Sequence, residues 1–365
     1  MQSVVLGNCS SRTLAVLSGV PQGSILGPSL FVLFLNDITL GLNPGTNIVM
    51  YADDTKLWRE ITCENDNVIL QSDIDYLMDW AIRNKMSFHP SKCKVLMVSS
   101  FNPPFWDLPF GQYHYSMGED FLDYADSEKD LGILINGTLN FNEHASMLYS
   151  KANQKFGLLK RTCHFVDSIS RKRVLYLTMV RSLFEHCPVV WRPASVSIID
   201  KLEGLQKRAL KWILNDYSVS YSNGPLYYIH CKQLNILPIK FRFDYHDLKI
   251  FHEIVNGFSC VKLPSYIESF RGSRLRASHM DSKCYVSTVM PRNLQNNHSG
   301  SVRGFSSSYF YRAHLLWNRL PLSVREIIRP SLYKEKILEF IWVEMVGSCD
   351  VFESDNEIDF VDPRT

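Results

Sequence analysis

The residues of this chain best suited to chemistry are two adjacent carboxylates, Asp53 and Asp54. Side by side they repel, and a cation relieves that repulsion. A hard divalent ion such as Mg²⁺ takes oxygen ligands of this kind. A solvated turn is the plain alternative, because aspartate is a favoured turn residue. The pair sits in Met50-Tyr51-Ala52-Asp53-Asp54-Thr55-Lys56-Leu57-Trp58. Apolar Ile48-Val49-Met50 leads in, and residues 55–59 lead away with alternating side chains. The pattern predicts a β-hairpin carrying the acids at its tip.

A second motif lies upstream: Ser18-Gly19-Val20-Pro21-Gln22-Gly23-Ser24-Ile25-Leu26-Gly27-Pro28. Gly19 and Gly23 permit close backbone approach to a ligand, and Ser24 is placed to cap a following helix. That helix is predicted to bury Ile25, Leu26, Leu30, Phe31, Phe34 and Leu35. A glycine-containing helix entry with no further role is the alternative.

In this order the two motifs resemble the reverse transcriptases of non-LTR retrotransposons, most closely the jockey-like group. There a Gly-Val-Pro-Gln-Gly-Ser loop opening a helix is followed by a Tyr-Ala-Asp-Asp hairpin. The resemblance implies an RNA-directed DNA polymerase that adds nucleotides by the two-metal route. Asp53 and Asp54 would hold Mg²⁺, while Gln22, Gly23 and Tyr51 would contact nucleotide and template. The implied partners are an RNA template, a DNA primer and deoxynucleoside triphosphates. In that family a third aspartate lies on a strand ahead of the loop. No Asp precedes Ser18 here, and Asp37 follows the loop on a helix. The expectation is therefore an N-terminally truncated enzyme without fingers, inactive alone, its hairpin left with an unpaired sheet edge. The alternative is a non-catalytic, nucleic-acid-binding remnant of a retroelement.

Residues 62–86 read as an amphipathic helix with acids in its first half, as the helix dipole favours. His89-Pro90-Ser91-Lys92-Cys93 then feeds a strand, and resembles the family's Asn-x-x-Lys-Thr motif with His and Cys substituted. Lys92 can stabilise or protonate a leaving pyrophosphate, and it reads equally well as a solvated lysine at a strand end. A short strand is expected at 112–117. Lys129-Asp130-Leu131-Gly132-Ile133-Leu134-Ile135 reads as one apolar strand, similar to the Asp-Leu-Gly strand that ends the palm.

From 142 to 214 the period becomes helical, with a middle helix at 171–186. Between Lys151 and Trp212 about 13 Lys and Arg stand against about 4 Asp and Glu, a local excess near +9. The region resembles the thumb that grips template and primer. Lys207, Arg208 and Lys211, opposite Leu202 and Leu205, are the candidate backbone contacts; a solvated basic face is the alternative. Further helices are expected at 241–255 and 332–346. The stretch 271–312 is basic and poor in acids, a nucleic-acid-contacting loop or a connector.

The fold class expected is α+β: a partial right-hand palm, with an antiparallel sheet and packed helices, then an all-α thumb and a C-terminal helical region. The expected boundaries are 1–136, 137–218 and 219–347, followed by an acidic disordered tail at 348–365. The whole chain of 365 residues, 45% hydrophobic and 21% charged with net charge +2, has the composition of an ordinary globular protein. Its nine cysteines contain no Cys-x-x-Cys pair, which removes support for a zinc knuckle and suits reduced thiols. The longest apolar run is far too short for a membrane span, and the N-terminus has no signal-peptide pattern. A soluble intracellular protein without membrane contact is expected.

Overall fold

The computed structural model describes residues 1–15, 19, 23–99, 113–193, 195–222, 224–264, 267–270, 285–288 and 308–347. The chain divides into two compact units, Met1–Asp126 and Ser127–Thr365. The division falls ahead of the expected boundary at 136. The acidic tail, Gln22 and nearly all of 271–312 lie outside the described residues.

The first unit opens with a small hairpin, β1 (Val5–Leu6) with β2 (Cys9–Ser10). Helix α1 (Gly27–Leu35) follows, and the Ser24 hydroxyl accepts a hydrogen bond from the Gly27 N–H at 3.0 Å. Burial of α1 departs from expectation. Leu35 is buried and Phe31 partly so, but Ile25, Leu26, Leu30 and Phe34 are exposed, Ile25 at 95%. The helix is apolar around most of its circumference and offers only one edge to the core, so its sequence pattern could not say which residues are covered.

Strands β3 (Thr46–Tyr51) and β4 (Asp54–Arg59) form an antiparallel pair packed on α2 (Glu64–Arg83). Side chains alternate as a half-buried hairpin requires: Ile48, Met50 and Leu57 pack inward with Leu77, Trp80 and Ala81. Opposite, Ile74 of α2 joins Tyr115, Met117 and Val95 in a second small core. The remaining strands are β5 (Lys94–Leu96), β6 (Ser116–Met117), β7 (Asp120–Phe121) and β8 (Asp123–Ala125). β6 pairs antiparallel with β7, and β5 pairs parallel with β8. Among the described residues every ladder has two strands. The fold is thus mixed helix and small sheets, and the single antiparallel sheet expected at the start is replaced by separate pairs, one of them parallel.

The second unit begins with β9 (Ser127–Asp130) and β10 (Ile133–Asn136). The one strand expected at 129–135 is in fact a hairpin turning at Leu131-Gly132, with φ of 44° and 90°. Two positive φ values are what the tight hairpin turn needs, and glycine at the second position meets half of that need. Helices follow: α3 (Asn142–Thr162), α4 (Ile169–Tyr176), α5 (Ser182–Glu185), α6 (Pro188–Trp191), α7 (Val196–Leu214), α8 (Pro225–Gln233) and α9 (Ile239–Val255). A π-helical turn, Leu177–Arg181, joins α4 to α5 and turns Arg181 inward, where it is 2% exposed. Its guanidinium donates to the Leu237 carbonyl at 3.1 Å and to Gln206. Gln206 also donates to the Tyr227 hydroxyl at 2.9 Å, and Tyr227 donates to Glu203. Glu203 in turn accepts the Ile239 N–H at 2.9 Å, capping α9 from a neighbouring helix because Pro238 has no side chain that could. Burial pushes the Glu203 carboxyl up.

A large core gathers α3, α4, α7 and α8 around Phe156, Tyr176, Trp191, Leu202 and Leu205. A second core packs Leu248 and Phe251 of α9 against α10 (Tyr309–Arg319), α11 (Leu322–Arg325) and α12 (Pro330–Gly347). The helix expected at 332–346 is α12, and the one expected at 241–255 is α9.

Candidate active site

The loop between β3 and β4 has two residues, Ala52 and Asp53, closed by the pairing of Tyr51 with Asp54. Ala52 takes φ 54°, at the first loop position, where hairpins of this kind usually carry glycine. An L-residue with a Cβ pays about 1–2 kcal/mol for that conformation. The tight loop puts Asp53 at the tip and Asp54 at the first position of β4, both exposed. Tyr51 lies across from Asp54 on the outer face and is 66% exposed. The same outer face carries Val49, Lys56 and Trp58. Val49 and Trp58 were not expected site residues, although the period-2 alternation that sends Ile48 and Leu57 inward sends these two outward.

Two carboxylates of α2, Asp73 and Asp66, hold the hairpin from below. The Asp73 carboxylate on α2, fully buried, accepts both the backbone N–H and the side-chain amide of Asn43 at 2.8 Å, fixing the turn into β3. Arg59, at the end of β4, donates to Asp66 at 3.1 Å and to the Pro44 carbonyl at 2.9 Å. Asp66 also accepts from the N–H and hydroxyl of Thr62 and from Cys63, at the start of α2. These donors, the Thr62 N–H foremost, hold the Asp66 carboxyl well below the usual carboxylate range. The Trp80 indole donates to Asp37 at 3.0 Å, tying the end of α1 to α2.

Gly23 stands just before α1 with φ 79°, and a Cβ there would meet no atom within 4 Å. Lys92 closes a 3-10 turn, Pro90–Lys92, two positions before the first residue of β5, and is exposed. Asp53, Asp54, Tyr51, Gly23 and Lys92 therefore all belong to the first unit, with the hairpin and α1 sharing the core on α2. Among the described residues no group of three or more His, Cys, Asp or Glu is placed to hold a metal ion.

Lys207, Arg208 and Lys211 belong to the second unit, on α7. Their surroundings differ from one another. The Lys207 ammonium lies over the Tyr227 ring at 5.1 Å and that of Lys211 over Tyr221 at 5.7 Å, both half-buried. Arg208 is exposed and reaches Asn153 of α3 at 2.9 Å. Other cations of the basic stretch are turned inward: Lys172 lies buried over Trp212, Arg173 donates to the Leu234 carbonyl, and Arg192 is paired with Asp244 and Asp247. Lys151 and Arg161 on α3 are exposed, and the helical period marks them as outward residues.

The family model for "Reverse transcriptase (RNA-dependent DNA polymerase)" matches residues 2–158, which include the loop, the hairpin and Lys92. The chain is 29% identical over 220 residues to the RNA-directed DNA polymerase from mobile element jockey of Drosophila funebris, covering 58% of this chain and 23% of that one. Over residues 2–158 the chain is thus similar to the reverse transcriptase family, and the relatives it resembles are RNA-directed DNA polymerases of transposable elements such as jockey. It is 26% identical over 223 residues to a probable RNA-directed DNA polymerase from transposon BS of Drosophila melanogaster, covering 56% and 23% of the two chains. A third relative, from transposon X-element of the same fly, is 25% identical over 211 residues, covering 54% and 22%. The chain thus spans about a quarter of the length of the curated relatives it matches. No solved structure matches it. Among its described residues no helix is long and apolar enough to cross a membrane.

Proposed function

We propose that this chain is the carboxylate-hairpin portion of a retrotransposon RNA-directed DNA polymerase. The observation that carries the reading is the hairpin itself: a two-residue loop that presents Asp53 and Asp54, both exposed, above a rigidly tied base. Their donor set suits Mg²⁺, which takes hard oxygens and is commonly bound through one or two carboxylates plus substrate phosphates. Bound there, the metal would neutralise charge developing on the transferred phosphoryl group.

The other residues have roles of position and proton movement. Tyr51, alternating outward beside Asp54, offers a flat face to a nucleotide or template base, and Gly23 leaves room for a close backbone approach. Gln22 completes that loop by resemblance. Lys92 is suited to hold a proton for the departing pyrophosphate. The substrates are deoxynucleoside triphosphates on an RNA template with a DNA primer. Of the family's three metal-holding aspartates, Asp53 and Asp54 stand for the adjacent pair by resemblance.

A second reading, nucleic-acid binding without catalysis, is favoured by the exposed cations Lys151, Arg161 and Arg208 on α3 and α7. The two readings separate on metal binding at the hairpin. Paramagnetic broadening by Mn²⁺ in the presence of a deoxynucleoside triphosphate should centre on the amides of residues 52–55 and vanish in Asp53→Ala. Broadening spread over other acidic surfaces, and unchanged by that substitution, would leave only the binding reading.

A further inference from the structure

Helices α3 and α7 of the second unit lie side by side along one seam. Arg208 of α7 reaches Asn153 of α3 at 2.9 Å, and Phe156 meets Trp212 edge-on at 5.9 Å between ring centres. Along the seam and outward from it, each helix carries a run of cations without an acid. On α3 these are Lys151, Lys155, Lys160 and Arg161, with no Asp or Glu from Ser146 to Cys163. On α7 they are Lys207, Arg208 and Lys211, with no Asp or Glu from Gly204 to Asn215. Asp200, one turn before Gly204, and Asp216, directly after Asn215, flank the run on α7.

Two glycines interrupt these helices. A Cβ on Gly157 would meet only the Arg161 guanidinium, at 3.5 Å, and one on Gly204 only that of Arg208, at 3.9 Å. Neither glycine is therefore required by packing, although each costs the helix about 1 kcal/mol relative to alanine. Each leaves its own turn of backbone bare beside an arginine. Met147 and Leu158 are exposed on the outward stripe of α3. The surface therefore combines cations, apolar side chains and room for a main chain.

The sequence contains one segment of matching chemistry. Residues 350–362 read Asp-Val-Phe-Glu-Ser-Asp-Asn-Glu-Ile-Asp-Phe-Val-Asp: six acids interleaved with Val351, Phe352, Ile358, Phe360 and Val361, and no Lys or Arg. It follows α12, whose last residue is Gly347. Only residues 348 and 349 separate it from α12, so Asp350 stays within about 10 Å of Gly347 while Asp362, fifteen residues on, extends to about 50 Å. A folded unit of this size has a radius of gyration of roughly 18 Å, so the later acids are the ones free to cross it.

We propose that segment 350–362 docks on the outer α3–α7 face of its own chain, its carboxylates on Lys151, Lys160, Arg161 and Arg208 and its aromatic residues beside Leu158. The docked segment occupies, as a polyanion, the place a nucleic-acid backbone would take. That competition rests on the nucleic-acid reading given above; the docking does not. A tether of this length holds the segment at an effective concentration of order millimolar. With an intrinsic affinity near 0.1 mM, it masks the face about tenfold.

Carbodiimide treatment of the full chain, which joins lysines to carboxylates in direct contact, followed by peptide mass spectrometry, tests the docking. Amide links from residues 350–362 to Lys160 and Lys151 are expected. They should fall several-fold in 0.5 M salt and in an Arg161→Ala, Arg208→Ala double variant, which keeps both lysines. Links that instead reach Lys283 in the basic stretch, or Lys334 and Lys336 on α12, would overturn the proposal, as would the absence of links. The competition is read separately. Replacing the six acids by Asn and Gln should tighten binding of single-stranded RNA about tenfold at low salt. Unchanged RNA affinity with the expected links would overturn the competition and keep the docking. Failure of both the original chain and the neutralised chain to bind RNA would refute the nucleic-acid reading, while the links decide the docking.

Discussion

Gly41→Ala is the substitution that most directly challenges the account of how the hairpin is held. A Cβ at Gly41 would lie 2.2 Å from Cε2 of Tyr76 on α2. Ordinary carbon contacts are about 3.5–4.0 Å, so the ring or the loop must retreat by more than 1 Å. The loop is poorly placed to do so, because the Asn43 N–H and side-chain amide both donate to the buried Asp73 carboxylate at 2.8 Å. Hydrogen bonds to a charged group are worth about 1.5–3 kcal/mol each, so the ring should move instead. Overpacking costs about 1–3 kcal/mol. Reduced freedom of the unfolded chain returns about 0.4–1 kcal/mol. A net loss of about 1–2 kcal/mol follows, confined to the first unit. Amide hydrogen exchange of β3 and β4 reads that unit locally, and its free energy of opening should fall by this amount. In a Tyr76→Ala background the clash is gone, and Gly41→Ala should become neutral or mildly stabilising, a coupling of at least about 1 kcal/mol. An equal loss in both backgrounds, or a gain from Gly41→Ala alone, would refute the reasoning.

Ala52→Gly should slow exchange of the β3–β4 amides by about 0.5–1 kcal/mol, since strain at φ 54° is relieved at some cost in chain entropy; a loss would show that the loop is unstrained. Asp66 has a folded-state pKa below its unfolded value, so its stabilising effect is fully present above about pH 4 and is lost as pH falls through the folded value. The gap in melting temperature between the unsubstituted chain and Asp66→Asn should accordingly be constant from pH 5 to 8 and close below pH 4. A gap that did not vary with pH would contradict the hydrogen-bond assignment. Among the cations, Arg161→Ala and Arg208→Ala should each lower the salt dependence of RNA binding by about one phosphate contact without affecting melting. Lys172→Ala, buried over Trp212, should lower melting and leave that slope unchanged.

The hairpin was legible in the sequence because three independent signals agree over residues 46–59: alternation, a short polar loop, and an amphipathic helix immediately after it. Helix α1 was legible as a helix and not as a surface, since an apolar residue on nearly every side carries no phase. The hairpin at Leu131-Gly132 was hidden by its first turn residue. Leucine rarely takes positive φ, and the apolar run around it reads as one strand until pairing with β9 is seen. In the basic stretch, counting charge identified the region but not the residues that remain available. Whether a lysine faces solvent or a tryptophan ring depends on contacts from elements dozens of residues away. Lys160 illustrates this, its ammonium lying over Phe156 on its own helix and over Tyr217 beyond α7. The family resemblance rested on motifs whose chemistry is local, and local motifs survive where packing does not announce itself.

The central claim is that Asp53 and Asp54 are metal-holding carboxylates of a polymerase site. Primer extension on an RNA template with Mg²⁺ tests it most directly, comparing this chain, the chain supplemented upstream with a reverse-transcriptase segment bearing a further catalytic aspartate, and Asp53→Ala and Asp54→Ala in that supplemented chain. The account predicts extension by the supplemented chain, abolished by either substitution while the protein still binds template. Extension that persists in both variants would contradict it.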